Sequence, residues 1–208
     1  SLMGWLAISF SNVFEEGAMK DLRACLILFV LFSVLLGGVY PLAVTGVAQL
    51  LFADAANGSL IERNGQVIGS RLIGQSFTGD GYFWSRPSAT APFAYNAGSS
   101  GGSNLSLTNP ALSSRIAGQE SQLRAANGDA PIPIDLVTTS ASGLDPHISW
   151  AAAHYQAPRV AKARGLALSE VEKVVRGLAS DRQFAILGEP VVNVVELNIA
   201  LDNLPKSN

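Results

Sequence analysis

Ser140, Ser142, Asp145 and His147 fall within one short stretch and supply the hydroxyl, acid and base types from which a serine hydrolase is assembled. The nucleophile elbow that would present such a serine is absent, because Ser140-Ala141-Ser142-Gly143 lacks the first glycine of G-x-S-x-G. Asp145-Pro146 reads instead as a turn whose carboxylate caps backbone N–H groups ahead of a helix. The two histidines, His147 and His154, sit seven residues apart, as if two turns apart on one helix face. Neither H-E-x-x-H nor a cysteine partner accompanies them, which argues against zinc. Ser99-Ser100-Gly101-Gly102-Ser103 is glycine-rich but lacks the lysine of a phosphate-binding loop, and reads as a turn.

The elements that position these residues begin with thirty consecutive uncharged residues, Ala24 to Ala53, preceded by Lys20 and Arg23. At about 1.5 Å per residue the most apolar part, Ala24 to about Val44, makes a helix about 30 Å long, the thickness of bilayer hydrocarbon. A membrane helix over 24–46 is expected. A buried helix of a soluble protein is the alternative, but those are shorter and carry polar residues on one side. A cleaved signal peptide is the other, with Ala53-Asp54-Ala55 as its site. The apolar run exceeds the roughly 7 to 15 residues of a signal h-region, so an uncleaved anchor is favoured. The first basic residue after the run is Arg63. Residues 19–23 are therefore expected in the cytoplasm and residues 53–208 outside. Residues 1–18, ahead of Met19-Lys20, read as a leader from an upstream start or misassigned coding sequence, with an interfacial amphipathic helix as the alternative.

The exported part is long enough for a single domain with its own core. It carries twelve Lys+Arg and thirteen Asp+Glu once Lys20, Arg23, Glu15, Glu16 and Asp21 are set aside, which offers no basic face to nucleic acid. Cys25, the one cysteine of the 208 residues, falls in the span, so the domain has no disulfide. Asn64-Gly65 between two short apolar runs predicts a β-hairpin. Gly74 to Pro110 reads as long ordered loops, with a strand around Tyr82 to Ser85. Asn109-Pro110 opens a helix that ends at Asn127-Gly128. Ile134 to Thr139 reads as a strand, and Ser149 caps a helix that Pro158 interrupts or restarts before Gly165. Ser169 and Glu172 have the spacing of a capping box. Pro190 starts a helix in which Val194, Leu197, Leu201 and Leu204 share a face, although the same segment also alternates like a strand. The fold class is α+β: one N-terminal transmembrane helix followed by a single extracytoplasmic mixed α/β domain.

Six segments in order carry a family resemblance: GGVYP (37–41), GQSFTGDGYFWSRPSAT (74–90), SGGSNLSLTNP (100–110), DLVTTSASGLDPHIS (135–149), APRVAKARGL (157–166) and PVVNVVELNIALD (190–202). Together they resemble the C subunit of the bacterial Kdp-type potassium-transporting ATPase, from about Met19 to Leu204. Trp150 after Ser149 and Ala97 after Asn96 stand where that family tends to carry proline. The resemblance implies a non-catalytic accessory and assembly subunit of a P-type ATPase complex in the bacterial inner membrane. It implies a channel-like potassium-binding subunit, the ATPase subunit and a small single-span subunit as partners, with ATP and potassium acting at the level of the complex and no cofactor on this chain. It also implies a catalytic chaperone that supports ATP binding by the ATPase subunit. With the domain outside the membrane, such an effect has to be allosteric.

Among the residues themselves, Gly37 and Gly38 let a partner helix approach closely. Phe77, Tyr82, Trp84 and Arg86 are the types that anchor interfaces, and the aromatics equally suit a core. Asp80 and Asn104 are candidates for guiding potassium toward a pore entrance. A membrane-tethered extracytoplasmic hydrolase is the alternative function, and a secreted binding protein released after Ala55 is a third.

Overall fold

The computed structural model describes the backbone of residues 2–204 and side chains from Ala18 onward. It divides into two units, residues 1–57 and 58–208. The first is α1 (Leu2–Val34), a π-helical turn (Leu35–Val39), α2 (Tyr40–Leu51) and the single-turn α3 (Ala53–Ala56). The helical backbone is thus continuous past the expected end at residue 46 and reaches back through the presumed leader. Residues 18–51 meet the length and composition of a membrane span, and none of the most apolar window is buried within the chain. A core helix would be covered; this one is not.

The π turn has a local cause in Pro41. Its ring clashes with the carbonyl four residues back, that of Gly37, and it has no N–H to donate there. One residue earlier, Tyr40 donates to Leu35, five residues back, which widens the helix ahead of the proline. Gly37 and Gly38 lie in this turn, and a Cβ on either would meet nothing within 4 Å.

The second unit opens with the expected hairpin, β1 (Leu60–Arg63) and β2 (Gln66–Ser70), antiparallel with a bulge between Ile61 and Glu62. Asn64 (φ 53°) and Gly65 (φ 75°) both take the left-handed region, the type I′ geometry whose twist matches the strands. A long loop follows to α4 (Pro110–Asn127), capped as expected by the Asn109 side chain accepting from Ala111 N–H (2.9 Å) and closed at Gly128. Then come β3 (His147–Ser149), α5 (Trp150–Arg164), α6 (Leu168–Leu178), β4 (Ala179–Ser180), β5 (Val191–Asn193) and α7 (Val194–Asp202). β5 is the middle strand, antiparallel to β3 on one side and β4 on the other. Its Val192 is fully buried against Ile148, Val160, Val171, Val175, Leu197 and Leu201 in one core.

Several expectations are corrected. Tyr82–Ser85 is not a strand, for a reason given below. Ile134–Leu136 is a 3₁₀ turn rather than the start of a strand. Pro131 and Pro133 withhold ladder donors on either side of Ile132, Thr138 donates its hydroxyl to Ile134 O (2.8 Å), and the Asp135 carboxylate is drawn to Ser149 N–H (2.7 Å) and Oγ (3.0 Å). α5 runs unbroken through Pro158, which is exposed, so water can serve the His154 carbonyl that it leaves unpaired. α6 starts two residues before the expected box, with Glu170 accepting from Ala167 N–H (3.3 Å). Pro190 opens a strand to Asn193 rather than the expected helix, which starts only at Val194, capped by the Asn193 side chain; Val195, Leu197, Ile199 and Leu201, which alternate like a strand, all lie in α7. His147 and His154 do not share a helix, since His147 is in β3 and His154 in α5.

Candidate functional site

The aromatic segment 77–86 is held by side chains rather than by a strand partner. Asn198 on α7 accepts from Phe83 N–H (2.8 Å) and donates to Phe83 O (3.0 Å). Gln156 on α5 does the same for the next residue, accepting from Trp84 N–H (2.8 Å) and donating to Trp84 O (3.1 Å). Two amides thus replace the neighbouring strand that Tyr82–Ser85 would otherwise need. Phe83 is fully buried, and Asn198 and Gln156 are buried with it.

Arg159, one turn after Gln156, closes the same loop. Its guanidinium donates to the carbonyls of Asp80 (2.6 Å), Tyr82 (3.1 Å) and Gly79 (3.4 Å), to Asn127 Oδ1 (2.9 Å) and to Gln156 Oε1 (2.9 Å). It also lies 4.3 Å from the centre of the Trp84 ring. Burial pulls its pKa down to about 10, against the pull of the Asp80 carboxylate, so it stays charged at neutral pH. Arg164 covers the outer edge, 4.8 Å above the Tyr82 ring and paired with Asp202 (2.9 Å).

A second seam joins the glycine-serine loop to residues 140–145. Gly101 N–H and the Ser100 hydroxyl both donate to Ser142 O (2.9 and 3.0 Å), and Ser88 donates to Gly143 O (2.7 Å). Gly143 needs to be glycine twice over: its φ is 67°, and a Cβ would meet Gly101 O at 2.7 Å. Ser140 and Ser142 accept from Gly143 N–H (2.9 Å) and Leu144 N–H (3.1 Å). Asp145 accepts from His147 N–H (3.0 Å), as the turn reading anticipated, and its other oxygen pairs with Arg86 (2.9 Å). Burial would raise the Asp145 carboxyl, but hydrogen bonds from the His147 ring and backbone, with the Arg86 charge, hold it below its ordinary value. His147 Nδ1 faces Asp145 (3.3 Å) and the serines face backbone, so the acid, base and hydroxyls are not arranged as a relay. An open depression of about 620 Å³ lies over Arg86, Asp145 and the two serines.

The residues singled out from sequence therefore separate. Phe77 stacks on Tyr82 (5.7 Å between centroids) and, with Trp84, packs half-buried against the core, while Trp84 Nε1 donates to Gly79 O (3.0 Å). Arg86 is half-buried in its ion pair, and Tyr95, whose phenol donates to Arg86 O, is pushed by burial up to about 12. Asp80 and Asn104 are both exposed, in separate stretches of the long loop between β2 and α4, Asn104 at φ 50°. Asn198, Gln156 and Arg159 were missed as positioning residues. Their signal was available: polar side chains among the apolar residues of two helices, Asn198 directly after Leu197 and three before Leu201.

Comparison with known proteins reaches both units of this structure. The family model described as K+-transporting ATPase, c chain (KdpC), matches residues 22–203. The chain belongs to the KdpC family. A potassium-transporting ATPase KdpC subunit of Methylococcus capsulatus is 55% identical over 188 residues, covering 89% of this chain and 99% of that protein. One from Polaromonas naphthalenivorans is 55% identical over 193 residues, covering 91% and 98%. One from Serratia proteamaculans is 53% identical over 188 residues, covering 89% and 100%. In this KdpC family member, Trp150 donates its backbone N–H to Pro190 O (3.3 Å), a bond that a proline there would lack.

Proposed function

We propose that this chain is the anchored accessory and assembly subunit of an ATP-driven potassium uptake complex in the bacterial inner membrane. The observation that carries the reading is the family match, which runs through the apolar helix and the folded domain alike. Lys20 and Arg23 ahead of the span support a cytoplasmic N-terminus with the domain on the outer side. The partners are the channel-like potassium-binding subunit, the P-type ATPase subunit and the small single-span subunit. The chain performs no chemistry itself; it supports ATP binding by the ATPase subunit through coupling across the membrane.

Purification of the tagged chain in mild detergent tests this. Recovery of a P-type ATPase with a multi-span potassium subunit is the expected result. Recovery of the chain alone, with potassium-stimulated ATPase activity intact after its deletion, refutes it. The coupling has its own readout, since removal of the chain should weaken nucleotide affinity of the remaining complex. Asp80, exposed on the loop that Arg159 fixes, is the proposed potassium guide, with Asn104. Asp80→Asn should then raise the potassium concentration needed for half-maximal transport, and an unchanged value removes Asp80 from that role.

A further inference from the structure

Asn-Gly occurs three times in this chain, at 57–58, 64–65 and 127–128. The pair has a reactivity of its own, because a glycine nitrogen with no side chain beside it can reach the Cγ of the preceding amide. The structure treats the three amides differently.

Asn57 donates to Ala53 O (2.7 Å) and exchanges two hydrogen bonds of 3.2 Å with the Gln49 amide. Gly58 beside it is held by its carbonyl, which accepts from the Ser70 hydroxyl (2.7 Å). Asn127 is tied at both ends of the reaction. Its amide donates to Leu123 O (3.1 Å) and accepts from Arg159 (2.9 Å), while the attacking nitrogen, that of Gly128, donates to Arg124 O (2.8 Å). Asn64 is the exception. It is exposed at the tip of the β1–β2 hairpin, and among the described residues neither its side chain nor the Gly65 N–H has a hydrogen-bond partner. Only the Arg63–Gln66 pair closes this turn, so rotating Asn64 into attack geometry opens one end of a two-stranded sheet and disturbs no core residue.

We propose that Asn64 is a site of spontaneous modification by water, to aspartate and to β-linked aspartate. The Gly65 nitrogen forms a bond to Asn64 Cγ and gives up its proton, the Cγ–Nδ2 bond breaks, and Nδ2 leaves with that proton as ammonia. Water then opens the cyclic imide at one of its two carbonyls and returns a proton to the nitrogen. Opening at Cγ leaves ordinary aspartate; opening at the Asn64 backbone carbonyl leaves a chain that runs through Cγ. Both products place a carboxylate beside Arg63, whose guanidinium reaches Asn203 Oδ1 (3.3 Å) and Asp202 (3.9 Å). The β-linked product also adds one backbone carbon to a two-residue turn whose length sets the register of β1 against β2. The modified hairpin therefore loses the pairing at its tip.

The test holds the full chain in mild detergent at mildly alkaline pH, in water enriched in heavy oxygen, and follows it by peptide mapping. Residue 64 should take up heavy oxygen roughly tenfold faster than residue 57 or 127, since each of those must first break hydrogen bonds of its own. An isoaspartate methyltransferase should label the same peptide, and hydrogen exchange of the β1 and β2 amides should speed up in the converted chain. Asn64→Gly keeps a residue that accepts positive φ and has no amide to expel, so after the same treatment it should show neither the label nor the faster exchange. Conversion at Asn57 or Asn127 that keeps pace with Asn64 overturns the proposal. So does an unconverted Asn64 over a period in which the same chain, unfolded in urea, converts there. Exchange in β1 and β2 that stays unchanged after conversion overturns the loss of tip pairing.

Discussion

Replacing Asn198 by leucine removes both hydrogen bonds to Phe83 while keeping the side chain close in volume. Phe83 is fully buried, so its N–H (2.8 Å from Asn198 Oδ1) and its carbonyl (3.0 Å from Nδ2) are left without water to replace the amide. Each of the two buried groups left unpaired costs about 1–3 kcal/mol, and the added apolar burial returns about 1 kcal/mol, so a net loss of about 1–5 kcal/mol is expected. For a domain of this size that lowers Tm by roughly 2–20 °C. Urea unfolding of the full chain in mild detergent, followed by tryptophan fluorescence, measures it, with Trp84 next to the perturbed residue as reporter. Gln156→Leu should cost at least as much, because Gln156 Oε1 also accepts from Arg159. The double variant should lose less than the two single losses added, by about 0.5 kcal/mol or more, since one freed amide already lets residues 83–84 swing out. A loss below about 1 kcal/mol for Asn198→Leu, or strict additivity, would refute the claim that these amides stand in for a strand.

The other expectations are narrower. Asn109→Ala should lower stability by about 1 kcal/mol in the same urea experiment, through the lost cap on Ala111 N–H. Asp145 titrates below its ordinary value when folded, so its pairing stabilises the domain above the unfolded carboxyl pKa and is lost as pH falls through the lower folded pKa. The Tm gap between wild type and Asp145→Asn should accordingly be flat at neutral pH and close as pH drops below about 4. Phe184, 86% exposed on the loop between β4 and β5, should tolerate serine with a stability change within about 0.5 kcal/mol by thermal unfolding.

What the sequence made legible was whatever is decided within a few residues. Asn64-Gly65 and Asn109-Pro110 set their turn and cap by their own φ preferences and side-chain oxygens, and the uncharged run needs no tertiary partner to declare itself. What it concealed was decided by groups far along the chain. Tyr82–Ser85 has the aromatic content of a strand, yet its backbone partners are side chains 72 and 115 positions away, and no local pattern announces an amide that mimics a ladder. Ile134–Thr139 failed likewise, because the Asp135 carboxylate is recruited by Ser149, fourteen residues on.

This difference bears on the chain's role. A segment held by Asn198, Gln156 and Arg159 from two helices keeps its loop in one conformation without giving up a strand edge, and so keeps Tyr82 and Asp80 in fixed positions at its outer turn. Buried amides and a buried guanidinium are costly to leave unpaired, so the loop has few alternative arrangements of comparable energy. Under the role proposed above, in which the chain acts through its contacts, that rigidity matters: a coupling free energy passes between sites only if the element that carries it does not absorb the strain by rearranging. Loosening the clamp should therefore reduce complex activity at temperatures where the domain is still folded, a loss that destabilisation alone does not produce.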